Sequence, residues 1–109
     1  MTHITIYRNQ KNVFTGFCCE GHAGYANAGD DIVCAGISTL VINTINSIDS
    51  LTNSSFHLET EEESGLIDFT FEESADHDAQ LLVESMILGL QGIQNDYVNE
   101  FIILNFKEV

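Results

Sequence analysis

Proline is absent from all 109 residues, and only three residues are lysine or arginine. There is no internal repeat, low-complexity tract or linker either, so nothing divides the chain into separate units. Residues 1–109 read as a single domain, long enough for one modest core. The basic residues are Arg8, Lys11 and Lys107, and none lies between Lys11 and Lys107. Against them stand 17 acidic residues and a net charge of −14. Such a surface repels nucleic-acid phosphates and anionic lipid, and a basic protein suits it better. Its plainer use is solubility. No uninterrupted apolar run approaches the ~20 residues that cross a bilayer. The start, MTHITIYRNQ, lacks the basic segment followed by an apolar one that marks a secretory signal. These absences predict a cytoplasmic protein that uses neither membrane nor nucleic acid.

Cysteines number three, an odd count without an export signal, so reduced thiols are expected. Cys18 and Cys19 are adjacent and would point to opposite faces of a strand. One should be buried and the other partly exposed. Cys18, Cys19, His22 and Cys34 could supply thiolate and imidazole ligands, but the C-x₂₋₄-C spacing of a zinc knuckle is missing. Neither phosphate-binding glycine motif occurs. No metal and no cofactor is expected.

The remaining pattern is regular. Residues 2–8 (THITIYR) alternate apolar and polar as a half-buried strand does, and residues 9–12 read as a turn. Residues 13–20 (VFTGFCCE) form a second strand, paired with the first as a hairpin. Gly16 within it marks a bulge or a close backbone approach. A glycine-rich loop over 21–30 follows. Asp30 suits the N-cap of a helix running to Leu51. Cys34, Ser38, Val41, Ile45 and Ile48 share one face of that helix, with Ile37 beside them. Residues 55–60 and 65–72 form a second hairpin joined by Glu61-Glu62-Glu63-Ser64. Its acidic tip, beginning at Glu59, reads as a solvated cluster or a docking patch. Nine of the seventeen acids fall between Glu59 and Asp78. A helix over 76–96 has Leu82, Met86, Leu90 and Ile93 as its spine, and Gly89 and Gly92 let it pack closely on the first helix or on a second subunit. Residues 100–106 form the last strand. The order β-β-α-β-β-α-β predicts an α+β fold, one mixed or antiparallel sheet with two helices packed against it.

The chemistry concentrates in residues 21–38. His22 enters the glycine-rich loop and Cys34 follows close behind the expected helix start. Backbone N–H groups of a first helical turn favour negative charge, and thiolate is the nucleophilic form of cysteine. Cys34 with His22 is the minimum equipment for nucleophilic acyl transfer, the imidazole taking the thiol proton and returning it to the leaving amine. Asp31 either orients the imidazole or serves only as favourable first-turn charge. Ser38, one turn on, lines the pocket or bonds a carbonyl of its own helix. Tyr25 covers the site like a lid or contacts substrate, or else anchors the loop. Gly21, Gly24 and Gly29 fit hinge positions. Oxyanion donors would come from the Cys34 N–H and loop amides.

The run GHAGYANAGDDIVCAGIS resembles the signature of the ribosomal-processing cysteine protease family, Prp. The agreement covers His22, Ala23, Tyr25, Ala26, Gly29, Asp31, Ile32, Val33, Cys34, Ala35 and Ser38. Gly36 and Ile37 depart from the usual Ala and Val, and Gly36 weakens the helix by up to ~1 kcal/mol relative to alanine. The resemblance implies a Cys34–His22 dyad in a cysteine endopeptidase. It implies removal of a short N-terminal extension from a large-subunit ribosomal protein, with aromatic residues just before the cut, by a homodimer. The alternative from another class is a non-catalytic acidic module that binds a basic ribosomal protein.

Overall fold

The computed structural model describes residues 1–21, 28–96 and 101–109, and of residues 28–31 the backbone alone. Seven elements follow in order: β1 (Thr2–Arg8), β2 (Phe14–Glu20), α1 (Ala28–Leu51), β3 (Phe56–Glu61), β4 (Leu66–Phe71), α2 (His77–Asp96) and β5 (Ile102–Glu108). The five strands make one sheet in the order β3-β4-β2-β1-β5. β1–β2, β2–β4 and β3–β4 are antiparallel. β5 runs parallel to β1. The sheet is therefore mixed, and the expected α+β order holds.

Alternation decides which face is covered. Ile4 and Ile6 of β1, Phe17 and Cys19 of β2, Phe69 and Phe71 of β4 and Ile102 of β5 are all buried. Strand geometry puts the buried residues of each strand on one face. The helices close that face with Val33, Ile37, Val41, Ile45 and Ile48 from α1 and Ala79, Val83, Met86, Ile87 and Leu90 from α2. Phe69 is the hub of the aromatic core. Its ring stacks on Phe17 at 4.7 Å and on Phe56 at 4.6 Å, and meets Phe71 edge-on at 4.9 Å.

Turn chemistry fixes the hairpins. The Asn9 side-chain oxygen accepts from the N–H of Lys11 and of Val13, and Asn12 takes a positive φ of 64°, which asparagine tolerates. Gly16 proves to be both of the things its position suggested. Tyr7 pairs with Gly16 but Arg8 pairs with Phe14, so Thr15 is the extra residue of a bulge. A Cβ on Gly16 would collide with the Phe69 carbonyl oxygen. α2 is capped by Asp76, whose carboxylate accepts the Ala79 N–H at 2.8 Å, a contact typically worth ~1 kcal/mol. The Gln80 amide exchanges two 2.8 Å hydrogen bonds with the Phe14 backbone and ties α2 to β2. At Gly89 the helices come so close that a Cβ would press on the Leu40 side chain, 2.6 Å away.

Two expectations are corrected. α1 starts at Ala28, so Gly29 lies inside the helix rather than at a loop hinge, and Asp30 is not its N-cap. The first four N–H groups of a helix lack intrahelical acceptors, so glycine there sacrifices little, and Ala28 is a strong helix former. Asp30 and Asp31 both fall in the first turn, where negative charge is favourable. Second, Ile32–Leu51 is by length and composition apolar enough to cross a bilayer. Its inward residues are core against the sheet, and Thr39, Asn43, Asn46 and Asp49 interrupt the apolar run on the other side.

Candidate active site

The site forms where β2 ends, α1 begins and the β3–β4 hairpin turns. Gly21 closes β2 with φ +108°, a conformation open to glycine and strained for other residues. Its N–H donates to the Ser64 carbonyl at 3.0 Å, and the Met1 carbonyl oxygen occupies the space a Cβ would need. The end of β2 is thereby pinned to the tip of the second hairpin.

Cys34 is half-buried. Its helical neighbours Ser38 and Ile42 recur at i+4 and i+8, and together they form one wall of a groove of about 290 Å³. The opposite wall comes from Thr60, Glu61 and Glu62 and from Leu66 and Ile67. A smaller cavity of about 30 Å³ adjoins Cys34 and Ser38 and reaches Thr2, Cys19, Ile37 and Val41. The sulfur therefore sits at the edge of the core with open space beside it, where the apolar stripe of α1 predicted it would be.

The earlier helix start changes one electrostatic argument. Cys34 is the seventh residue of α1, and the positive end of a helix acts mainly within its first turn. The N–H of a seventh residue is also taken by the carbonyl four residues back, so the expected oxyanion donor at Cys34 is engaged within the helix. Ser38 is brought to Cys34 in the groove. Gly21 lines the same groove. His22, Gly24 and Tyr25 lie outside the described residues, as does the Asp31 side chain. His3, His57 and His77 are exposed, and none of them lines the groove. His57 faces Glu59 at 3.2 Å and His77 faces Asp78 at 3.3 Å. The hairpin wall of the groove was not foreseen. Its signal was the run Glu61-Glu62, read at the tip of the second hairpin as a solvated cluster or a docking patch but not placed opposite Cys34.

The other two thiols are held in their protonated form. Burial pushes Cys19 up to about 12 from its ordinary 9.0, with the neighbouring Cys18 adding to it. Cys18, on the outer face between Thr5 and Asp68, is raised by partial burial, then by the Asp68 and Glu20 carboxylates. The two thiols lie on opposite faces of the sheet and cannot meet one metal ion. Because its folded-state value is raised, Cys19 contributes stability that is fully present below pH ~9 and lost as pH climbs toward ~12, at up to ~1.4 kcal/mol per pH unit. Cys18 and Tyr7 are shifted the same way. Urea midpoints measured between pH 8 and 11 should fall, and Cys19→Val should flatten most of that decline. An unchanged slope in the variant would remove Cys19 as the cause.

Comparison with known proteins places this geometry. The model of the cysteine protease Prp family matches residues 1–102. The chain belongs to the Prp cysteine protease family. It is thus a cysteine protease, a hydrolase that cuts peptide bonds. The ribosomal processing cysteine protease Prp of Bacillus subtilis strain 168 is 37% identical over 101 residues, spanning 89% of this chain and 90% of that one. Two crystal structures of Prp from Staphylococcus aureus superpose closely. The one with a substrate peptide has TM-score 0.91 and 31% identity, covering 98% of this chain and 100% of that one. The one with a covalently linked product peptide has TM-score 0.88 and 32% identity over the same shares.

Proposed function

We propose that this Prp family member removes a short N-terminal extension from a basic large-subunit ribosomal protein precursor, through an acyl-enzyme on Cys34 with His22 as general base. The observation that carries this reading is the half-buried Cys34 thiol opening onto a groove long enough for an extended peptide. From Cys34 to Ile42 the α1 wall runs about 12 Å at 1.5 Å per residue, roughly the span of four extended residues. The Prp relatives named as ribosomal processing proteases, one with a product peptide covalently linked, support the substrate class and the covalent route.

The steps balance without a cofactor. His22 takes the thiol proton, and the sulfur attacks the scissile carbonyl carbon to give a tetrahedral oxyanion. As the C–N bond breaks, the imidazolium returns the proton to the departing amine, which is the new N-terminus of the ribosomal protein. Water, deprotonated by His22, then attacks the thioester and releases the extension, regenerating the thiol. Asp31 orients the imidazole, and Ser38 lines the pocket. Cytoplasmic location follows from the same reading, since the nucleophile must stay reduced. A homodimer is also inferred, from Ile32, Leu81 and Leu88 left exposed on the two helices.

Mixing the protein with the precursor should yield a shortened chain by mass spectrometry, and His22→Ala should slow its appearance by ~10²–10⁴-fold. Full activity in that variant would remove His22 from the dyad. A protein that binds the precursor without shortening it would favour the acidic binding module.

A further inference from the structure

The groove beside Cys34 is not uniformly apolar. Ile42, Leu66 and Ile67 supply hydrophobic surface, while Glu61 and Glu62 at the end of β3 and the start of its turn put two exposed carboxylates on the same wall. Among the described residues neither carboxylate has an ion-pair partner. No lysine or arginine of the chain lies near enough to be one. Its three lysines and arginines all sit at the other end of the sheet: Arg8 ends β1, Lys11 lies in the turn beyond it, and Lys107 pairs in register with Tyr7. The groove end is marked by Thr2, which lines the small cavity next to Cys34. From Thr2 to Arg8 the strand advances about 20 Å at ~3.3 Å per residue. That is well past the ~8 Å over which charges act through physiological salt. None of the three lysines and arginines therefore reaches the two carboxylates, which stand beside a hydrophobic strip that an extended peptide would cover.

We propose that Glu61 and Glu62 are specificity-determining residues that bind a lysine or arginine of the substrate peptide, within about four residues of the bond cut at Cys34. This rests on the reading of Cys34 as the nucleophile, and it adds which side chains the groove selects. A lysine or arginine fits both halves of the wall. Its aliphatic stem lies along Ile42 and Leu66 while the charged head reaches the carboxylates.

The test uses the full chain and nine-residue peptides with two phenylalanines before the cut. A single lysine is moved through the positions on either side, and each peptide is paired with a norleucine counterpart that keeps the stem and loses the charge. The quantity read is the lysine-to-norleucine ratio of kcat/KM within each protein, so a general loss of activity cancels. The parent should prefer lysine at one or two positions by about fivefold, expressed in KM, the scale of a partly exposed ion pair. In the E61Q/E62Q variant that ratio should fall to about one, and in E61K/E62K below one. A ratio that survives neutralisation overturns the proposal. Failure of the nucleophile reading looks different, because then the Cys34→Ala variant would cut every peptide as fast as the parent. In that event calorimetric titration of the same pairs into Cys34→Ala reads the groove alone. A lysine preference that depends on Glu61 and Glu62 would uphold the proposal, and equal affinities would end it.

Discussion

Replacing Cys34 with alanine is expected to slow precursor cleavage at least ~10⁴-fold while the protein stays folded. The size follows from the chemistry. Without a nucleophile no acyl-enzyme forms, and what remains is rate enhancement from binding and polarisation alone. Folding should survive because Cys34 lies at the margin of the core with empty space beside it, and alanine suits a helix interior better than cysteine. The urea midpoint should therefore stay within the equivalent of ~1 kcal/mol. A variant that unfolds would make Cys34 a core residue first and a nucleophile second. Thiol labelling adds a kinetic reading. With Cys19 sealed and Cys18 held protonated by its surroundings, alkylation at pH 6.5 should modify Cys34 well before the other two.

Phe69→Ala should cost about 3–5 kcal/mol, the largest single loss of stability expected here. The ring is fully buried and contacts three other aromatic rings drawn from β2, β3 and β4. Its loss removes packing from three strands at once and leaves a cavity where the sheet meets the helices. Domains of this size are stable by only ~5–15 kcal/mol, so the midpoint should collapse. Phe106→Ala is the control. That ring is partly exposed and lies under the Arg8 guanidinium at 5.0 Å, so its truncation should cost about 1 kcal/mol or less. Comparable losses at the two positions would mean that the Phe69 cluster is not the centre of the core.

Local signals carried much of this in the sequence. Period-two alternation in THITIYR and LIDFTF, with Asn9 to Asn12 and the acidic run Glu61 to Ser64 as the polar turns, marked both hairpins, because pairing between sequence neighbours depends on side-chain pattern and turn chemistry. The spine of α2 was equally visible. What stayed hidden depends on distant parts of the chain. The parallel pairing of β5 with β1 arises from α2 crossing the sheet, and no residue in IILNFKE encodes it. Asp30 looked like a cap because aspartate is a good one, but Ala28 begins the helix earlier and moves Cys34 from just behind the first turn to the seventh position. The groove is the clearest case. Cys34 and Ser38 shared a helical face on paper. Only the strand order β3-β4-β2 brings Glu61, Glu62 and Leu66 across from them.

The most direct measurement is the intact mass of the protein quenched in acid during turnover of the precursor. The account predicts a species heavier by the excised N-terminal peptide less one water, bound as a thioester that peptide mapping places on Cys34 and that hydroxylamine removes. Rapid precursor cleavage with no such adduct, or with the adduct on another residue, would contradict it.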